Sequence, residues 1–107
     1  MLAFAQKGKV VKLSIKQKRY LKGLAHSIKP LVYVGKNGVT VSFCKEVAQV
    51  LFDHELIKVK FNEYKSDKKT LAHQLATTTN AQMIGMIGNT VILYRQQEQA
   101  EKRRIHV

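Results

Sequence analysis

Apolar residues change their spacing several times along the chain, and each change marks an element. Residues 1–12 have no convincing period and read as a flexible basic arm. Ser14 and Gln17 then form a capping box, which predicts a helix over the segment IKQKRYLKGLAH. Ile15, Leu21, Leu24 and Ala25 are expected to face a core, with Tyr20 at its margin, and Lys16, Lys18, Arg19 and Lys22 to face water. Gly23 inside that helix costs up to about 1 kcal/mol relative to Ala, which implies close packing there. Pro30 stops the helix and pushes Lys29 toward an extended backbone.

Residues 31–34 are a short apolar run and read as a strand, punctuated by the glycines of GKNG at 35–38. Thr40 or Ser42 can cap a second helix, in which Phe43, Cys44, Val47, Ala48 and Leu51 recur at helical spacing to about His54. Residues 56–61 alternate as a half-exposed strand, with Ile57, Val59 and Phe61 pointing one way and Lys58 and Lys60 the other. Ser66 or Asp67 can cap a third helix, which carries Leu71, Ala72, Leu75 and Ala76 on one face. Asn80 suits a left-handed helix end. Residues 81–87 and 90–94 read as strands joined by a two-residue hairpin at Gly88 and Asn89. The polar tail 96–107 is expected to fray.

The predicted order is α-β-α-β-α-β-β, an α/β fold with a four-stranded mixed sheet packed by helices. At 107 residues there is room for one core, assigned to residues 13–95. An apolar fraction of 45% argues against disorder throughout. The lone Cys44 has no pairing partner and sits in an apolar helical pattern, so it reads as a core thiol. No secretory signal and no run long enough to span a bilayer are apparent, so a cytoplasmic location is expected.

Charge changes this picture. Nineteen Lys and Arg against seven Asp and Glu give a formal net charge of +12. The first 45 residues hold ten basic side chains and no acidic one. Solubility alone would be served by mixed signs, whereas a one-sign block attracts a polyanion. GKNG offers backbone N–H groups unobstructed by a Cβ, ahead of a helix N-terminus that favours anions. Lys36 adds a full charge and Asn37 a directional donor or acceptor, as in a loop that clamps a sugar–phosphate backbone. The stripe Lys16, Lys18, Arg19, Lys22 can track phosphates, with no acidic residue on that helix to pair with it. Tyr20, Tyr33, Tyr64 and Tyr94 are candidate base-stacking rings, with Tyr94 and Arg95 the best-placed pair. His26, His54, His73 and His106 lack metal-ligand spacing, and no nucleotide-binding or paired-carboxylate signature is present. The expectation is a binding module without catalytic activity, cofactor, metal or small-molecule substrate.

Three separated segments, LSIKQKRYLKGLAHSIKPLVYVGKNGVT, HELIKVKF and IGNTVILYR, resemble the bacterial YhbY-type proteins of the CRM (chloroplast RNA splicing and ribosome maturation) family. The resemblance runs from about Leu13 to Arg95. It implies a fold like the C-terminal domain of the third bacterial translation initiation factor. It also implies RNA binding and association with precursors of the large ribosomal subunit. Separately, no strongly amphipathic terminal helix is read in the chain, so no membrane partner is expected. The family loop falls on Gly35, Lys36, Asn37 and Gly38, and its basic helix on Lys16, Lys18, Arg19 and Lys22. The shared fold leaves a translation factor acting on the small subunit as an alternative.

Overall fold

The computed structural model describes residues 11–107. Most of the expected basic arm lies outside the described residues. The elements are α1 (Ile15–Ala25), β1 (Val32–Val34), α2 (Val41–His54), β2 (Leu56–Phe61), α3 (Lys68–Thr78), β3 (Gln82–Ile87) and β4 (Thr90–Tyr94). The strands form one mixed sheet in the order β1-β2-β4-β3. β1 runs parallel to β2, and the other pairs are antiparallel.

Local chemistry sets the boundaries. Both capping-box bonds of α1 are made: Gln17 N donates to Ser14 Oγ at 3.1 Å, and Ser14 N to Gln17 Oε1 at 2.8 Å. Thr40, not Ser42, caps α2, accepting from Phe43 N at 3.0 Å. Neither Ser66 nor Asp67 makes a capping bond to α3; a short 3-10 turn over Lys65–Asp67 leads into that helix instead. At its far end Ala81 N donates to Ala76 O and Asn80 N to Thr77 O, with Asn80 at φ 58. This is the paired 6→1 and 5→2 closure that needs a left-handed residue, a place where Asn substitutes for Gly.

Two layers of side chains sandwich the sheet. On one face α2 and α3 bury Cys44, Val47, Leu51, Ala72, Leu75 and Ala76 against Val32, Val34, Ile57, Val59, Phe61, Val91 and Leu93. Burial pushes the Cys44 thiol pKa up, as suits a core thiol. On the other face α1 packs Leu21 and Ala25 against Leu56, Ile84, Ile92 and Tyr94. Ile15 departs from expectation: it is 77% exposed, while Leu13 is buried in its stead. At 3.6 residues per turn Ile15 points about 120° away from Leu21, off the buried stripe.

The C-terminal segment does not fray. Its anchor is Glu55, which ends α2 at φ 65 and is buried. Glu55 Oε2 accepts from Gln97 N at 2.9 Å, and Oε1 accepts from Arg104 N at 2.7 Å and Ile105 N at 3.1 Å. Arg95 N donates to the Glu55 carbonyl at 2.8 Å. Ile105 and Val107 then pack on the α1 side of the sheet. Three amide donors explain how a carboxylate can be buried here. Tyr94, beneath this segment, is buried with its hydroxyl unpartnered. Burial first, and the Glu55 carboxylate second, raise its pKa against lesser opposing influences from Gln96 and Arg103.

Glu55→Gln replaces one acceptor oxygen with an NH2 group facing the amides it should receive. It is expected to cost about 1–3 kcal/mol and to speed hydrogen exchange at Gln97, Arg104 and Ile105 ahead of the sheet amides. Denaturant unfolding with amide exchange on the variant checks this; an unchanged midpoint and unchanged tail protection would remove Glu55 as the anchor.

Candidate nucleic-acid interface

β1 ends at Val34 and delivers the chain to the GKNG loop, which turns through a bond from Gly38 N to Gly35 O at 3.0 Å. Gly35, Lys36 and Asn37 are exposed. The two glycines differ in role. Gly38 sits at φ 71, and an added Cβ would lie 3.4 Å from the Tyr64 ring. A Cβ at Gly35 would meet nothing within 4 Å. The Tyr64 hydroxyl donates to Lys36 O at 2.5 Å, so this ring both packs on the loop and holds its backbone. Asn62 N and Glu63 N donate to Val34 O at 3.0 and 3.1 Å and tie the end of β2 to the same turn. Because Thr40 takes Phe43 N, one amide at the α2 N-terminus is already satisfied and is not free for a ligand.

The loop lies at one end of the sheet, near other polar groups. Phe61 N donates to Asn89 O at 2.7 Å, so the β3–β4 hairpin sits beside the end of β2. Lys68 Nζ donates to Asn89 Oδ1 at 3.0 Å, bringing the start of α3 there too. Arg95 is not in this group. The pairings Lys60 with Thr90 and Leu56 with Tyr94 place it at the other end of β4, about 16 Å away by strand rise. Tyr94, buried, offers no face to a base. The expected stacking role of Tyr94 is therefore corrected: the ring lies on the α1 side of the sheet and is buried there in the cluster with Leu21, Ile105 and Val107. Arg95, half-buried, gives its backbone N–H to the Glu55 carbonyl.

The loop and α1 are not on one plane. The loop ends the sheet, while α1 lies across the face opposite α2 and α3. The sheet joins them. Tyr33 pairs with Lys60, Lys60 with Thr90, and Thr90 with Ile87, one row across all four strands. The flanking Val32, Val34, Val59, Phe61 and Val91 belong to the α2–α3 core, so strand alternation turns this row to the α1 side. Tyr33, Lys60 and Ile87 are exposed and Thr90 half-buried, so the helix leaves this part of the face uncovered. Lys58, on the same face, donates to Ile28 O at 2.9 Å. Lys22 reaches from α1 over β3: a Cβ on Gly85 would fall 2.8 Å from Lys22 Cε. Lys16, Lys18 and Arg19 are exposed on the outer side of α1.

Charge is segregated along α1 and the sheet, while Glu63 and Asp67 stand beside the GKNG loop. α1 and the four strands contain no Asp or Glu. The carboxylates are Glu46 and Asp53 on α2, Glu63 and Asp67 between β2 and α3, Glu98 and Glu101 in the tail, and the buried Glu55. Among the described residues no group of three His, Cys, Asp or Glu side chains could hold a metal ion. No helix there is long and apolar enough to cross a membrane.

The model of the CRS1/YhbY (CRM) domain matches residues 13–95. The chain belongs to this family. It is 40% identical over 90 residues to a Haemophilus influenzae protein named "RNA-binding protein", covering 83% of this chain and 91% of that one. It is 38% identical over 96 residues to a Bacillus subtilis protein named "Probable RNA-binding protein YqeI", covering 89% and 98%. The solution structure of a Staphylococcus aureus protein, with RNA binding suggested as its role, superposes with a TM-score of 0.72 at 35% identity, covering 89% of this chain and all of that one. The fold is thus shared with that structure over nearly the whole chain.

Two parts of this surface had weak signals in the chain. Tyr64 reads only as one of four tyrosines, since its loop contact spans 28 positions. Gly85 reads as a plain strand residue until Lys22 is found lying over it. Gly38→Ala is expected to destabilise the domain by about 1–2 kcal/mol, because an L-residue is forced into the left-handed region. Gly35→Ala should stay within about 0.5 kcal/mol of wild type, as an exposed substitution with open space. Equal effects of the two in thermal unfolding would contradict this division of roles.

Proposed function

We propose that this CRM protein binds RNA without catalysing a reaction on it, and docks on folded ribosomal RNA during assembly of the large subunit. The observation that carries the reading is the run of basic side chains from α1 across the open sheet row, elements without a carboxylate, to Lys36 of the GKNG loop. Lys16, Lys18, Arg19, Lys22 and Lys36 supply phosphate contacts. Gly35 and Gly38 allow a sugar–phosphate backbone close to the loop, and Asn37 adds a directional bond. The Tyr64 bond to Lys36 O supports the reading, because a loop held before binding loses less entropy on binding. The names of the Haemophilus and Bacillus relatives point the same way. Arg95, at the other end of β4, is outside this surface.

The large-subunit assignment rests on the family resemblance of the three sequence segments. Its test is fractionation of ribosomal particles: cosedimentation with immature large subunits is expected, and cosedimentation with initiating small subunits would replace this reading by that of a translation factor.

Replacing Lys16, Lys18, Lys22 and Lys36 with Gln should weaken RNA binding at every sequence tested. Each phosphate left without its lysine should also lower the slope of log affinity against log salt by roughly 0.7–0.9. A titration between low and moderate salt reads both quantities. Wild-type affinity and wild-type slope in the fourfold variant would refute the site.

A further inference from the structure

We propose that the part of the sheet's α1 side left open by the described elements is a stacking site for an unpaired RNA base, with Tyr33 as its platform, so that the RNA bound carries a single-stranded bulge or loop beside its phosphate-clamped segment. The proposal rests on the RNA-binding reading and names the kind of RNA.

Side-chain exposure comes first. The α2–α3 face buries its apolar residues almost completely, whereas Leu31, Tyr33 and Ile87 on the other side remain 50%, 51% and 55% exposed. Leu31 and Tyr33 share a face because they are two apart in an extended segment, with Leu31 N on Lys58 O at 3.1 Å. The result is an open patch with an aromatic ring at the edge strand and an aliphatic side chain at the opposite edge.

Charge then selects the occupant. Lys60 stands directly beside Tyr33 in register and Lys22 overhangs Gly85, whereas Lys58, on the same strand face, is already bonded to Ile28 O. No strand supplies a carboxylate. An apolar protein partner would have to desolvate these ammonium groups without pairing them, which is costly. A nucleotide pairs both features at once: its base lies on the ring and its phosphate meets the lysines.

Position makes the fit specific. Tyr33 lies two residues before Gly35, about 7 Å away at strand rise. A strand of RNA with a phosphate at GKNG therefore has its neighbouring base within reach of the ring. The Tyr33 hydroxyl makes a long 3.5 Å contact to Pro30 O, which draws the ring back along its own strand.

The test uses a short RNA hairpin with one 2-aminopurine in its loop, and a fully paired duplex of equal length as control. Wild type should bind the hairpin with a change in 2-aminopurine fluorescence. Tyr33→Ala should weaken hairpin binding about 5- to 150-fold, the span expected when one stacked base loses its platform, abolish the fluorescence change, and weaken duplex binding far less. Tyr33→Phe should restore both signals, and Tyr33→Leu, which keeps bulk without a π face, should not. Equal losses on hairpin and duplex, full rescue by Leu, or an unaltered hairpin affinity in Tyr33→Ala would each overturn the stacking site. Failure of the wild type to bind either RNA would instead overturn the RNA-binding reading itself.

Discussion

A twisted four-stranded sheet has two faces to cover, and the described residues supply three α-helices for the task. Strand alternation sends every second residue to each side, so apolar residues on either face stay exposed where no element lies over them. α2 and α3 both lie on one face, where β1, β2 and β4 all send buried residues. The single α1 and the docked C-terminal segment cover only part of the other. The uncovered remainder mixes exposed apolar side chains, Leu31, Tyr33 and Ile87, with Lys58 and Lys60 of β2 and Thr90 of β4. The open surface is a consequence of helix count and sheet width, and its chemistry follows from which residues occupy it.

The Glu55 anchor governs how far that coverage extends. A left-handed backbone at the end of α2 turns the chain directly into β2, and the side chain then collects three amides from the tail. The tail fills the lower part of the α1 face with Ile105 and Val107. It stops short of the row from Tyr33 to Ile87, which stays exposed. A buried carboxylate thus acts through backbone donors on a segment that is itself rich in Arg and Lys, without requiring an ion pair.

Much of the fold was legible because its elements carry redundant local signals. The capping box at Ser14, the helical spacing from Phe43 to Leu51, the alternation of β2 and the Gly88–Asn89 turn each specify one element, and all four form. The illegible parts depend on distant partners. The tail looks soluble because its composition is polar, yet it is held by a residue more than 40 positions away. Ile15 looks like core by composition and faces water by phase. In the candidate site, the basic stripe and the GKNG loop were visible as residue types. Their junction was not, because it is built from cross-strand register that no single segment contains. The same register sets Arg95 at the far end of β4 from the loop, and the α1-side cluster with Ile105 and Val107 takes Tyr94 out of solvent.

The central claim is that α1, the open sheet row and the glycine loop form one RNA-facing surface. Chemical-shift mapping of the isotope-labelled protein during titration with structured RNA tests it most directly. Perturbations should concentrate at the exposed residues of α1, at Tyr33, Lys60 and Ile87, and at 35–38. Perturbations concentrated on the outer faces of α2 and α3, with that surface silent, would contradict it.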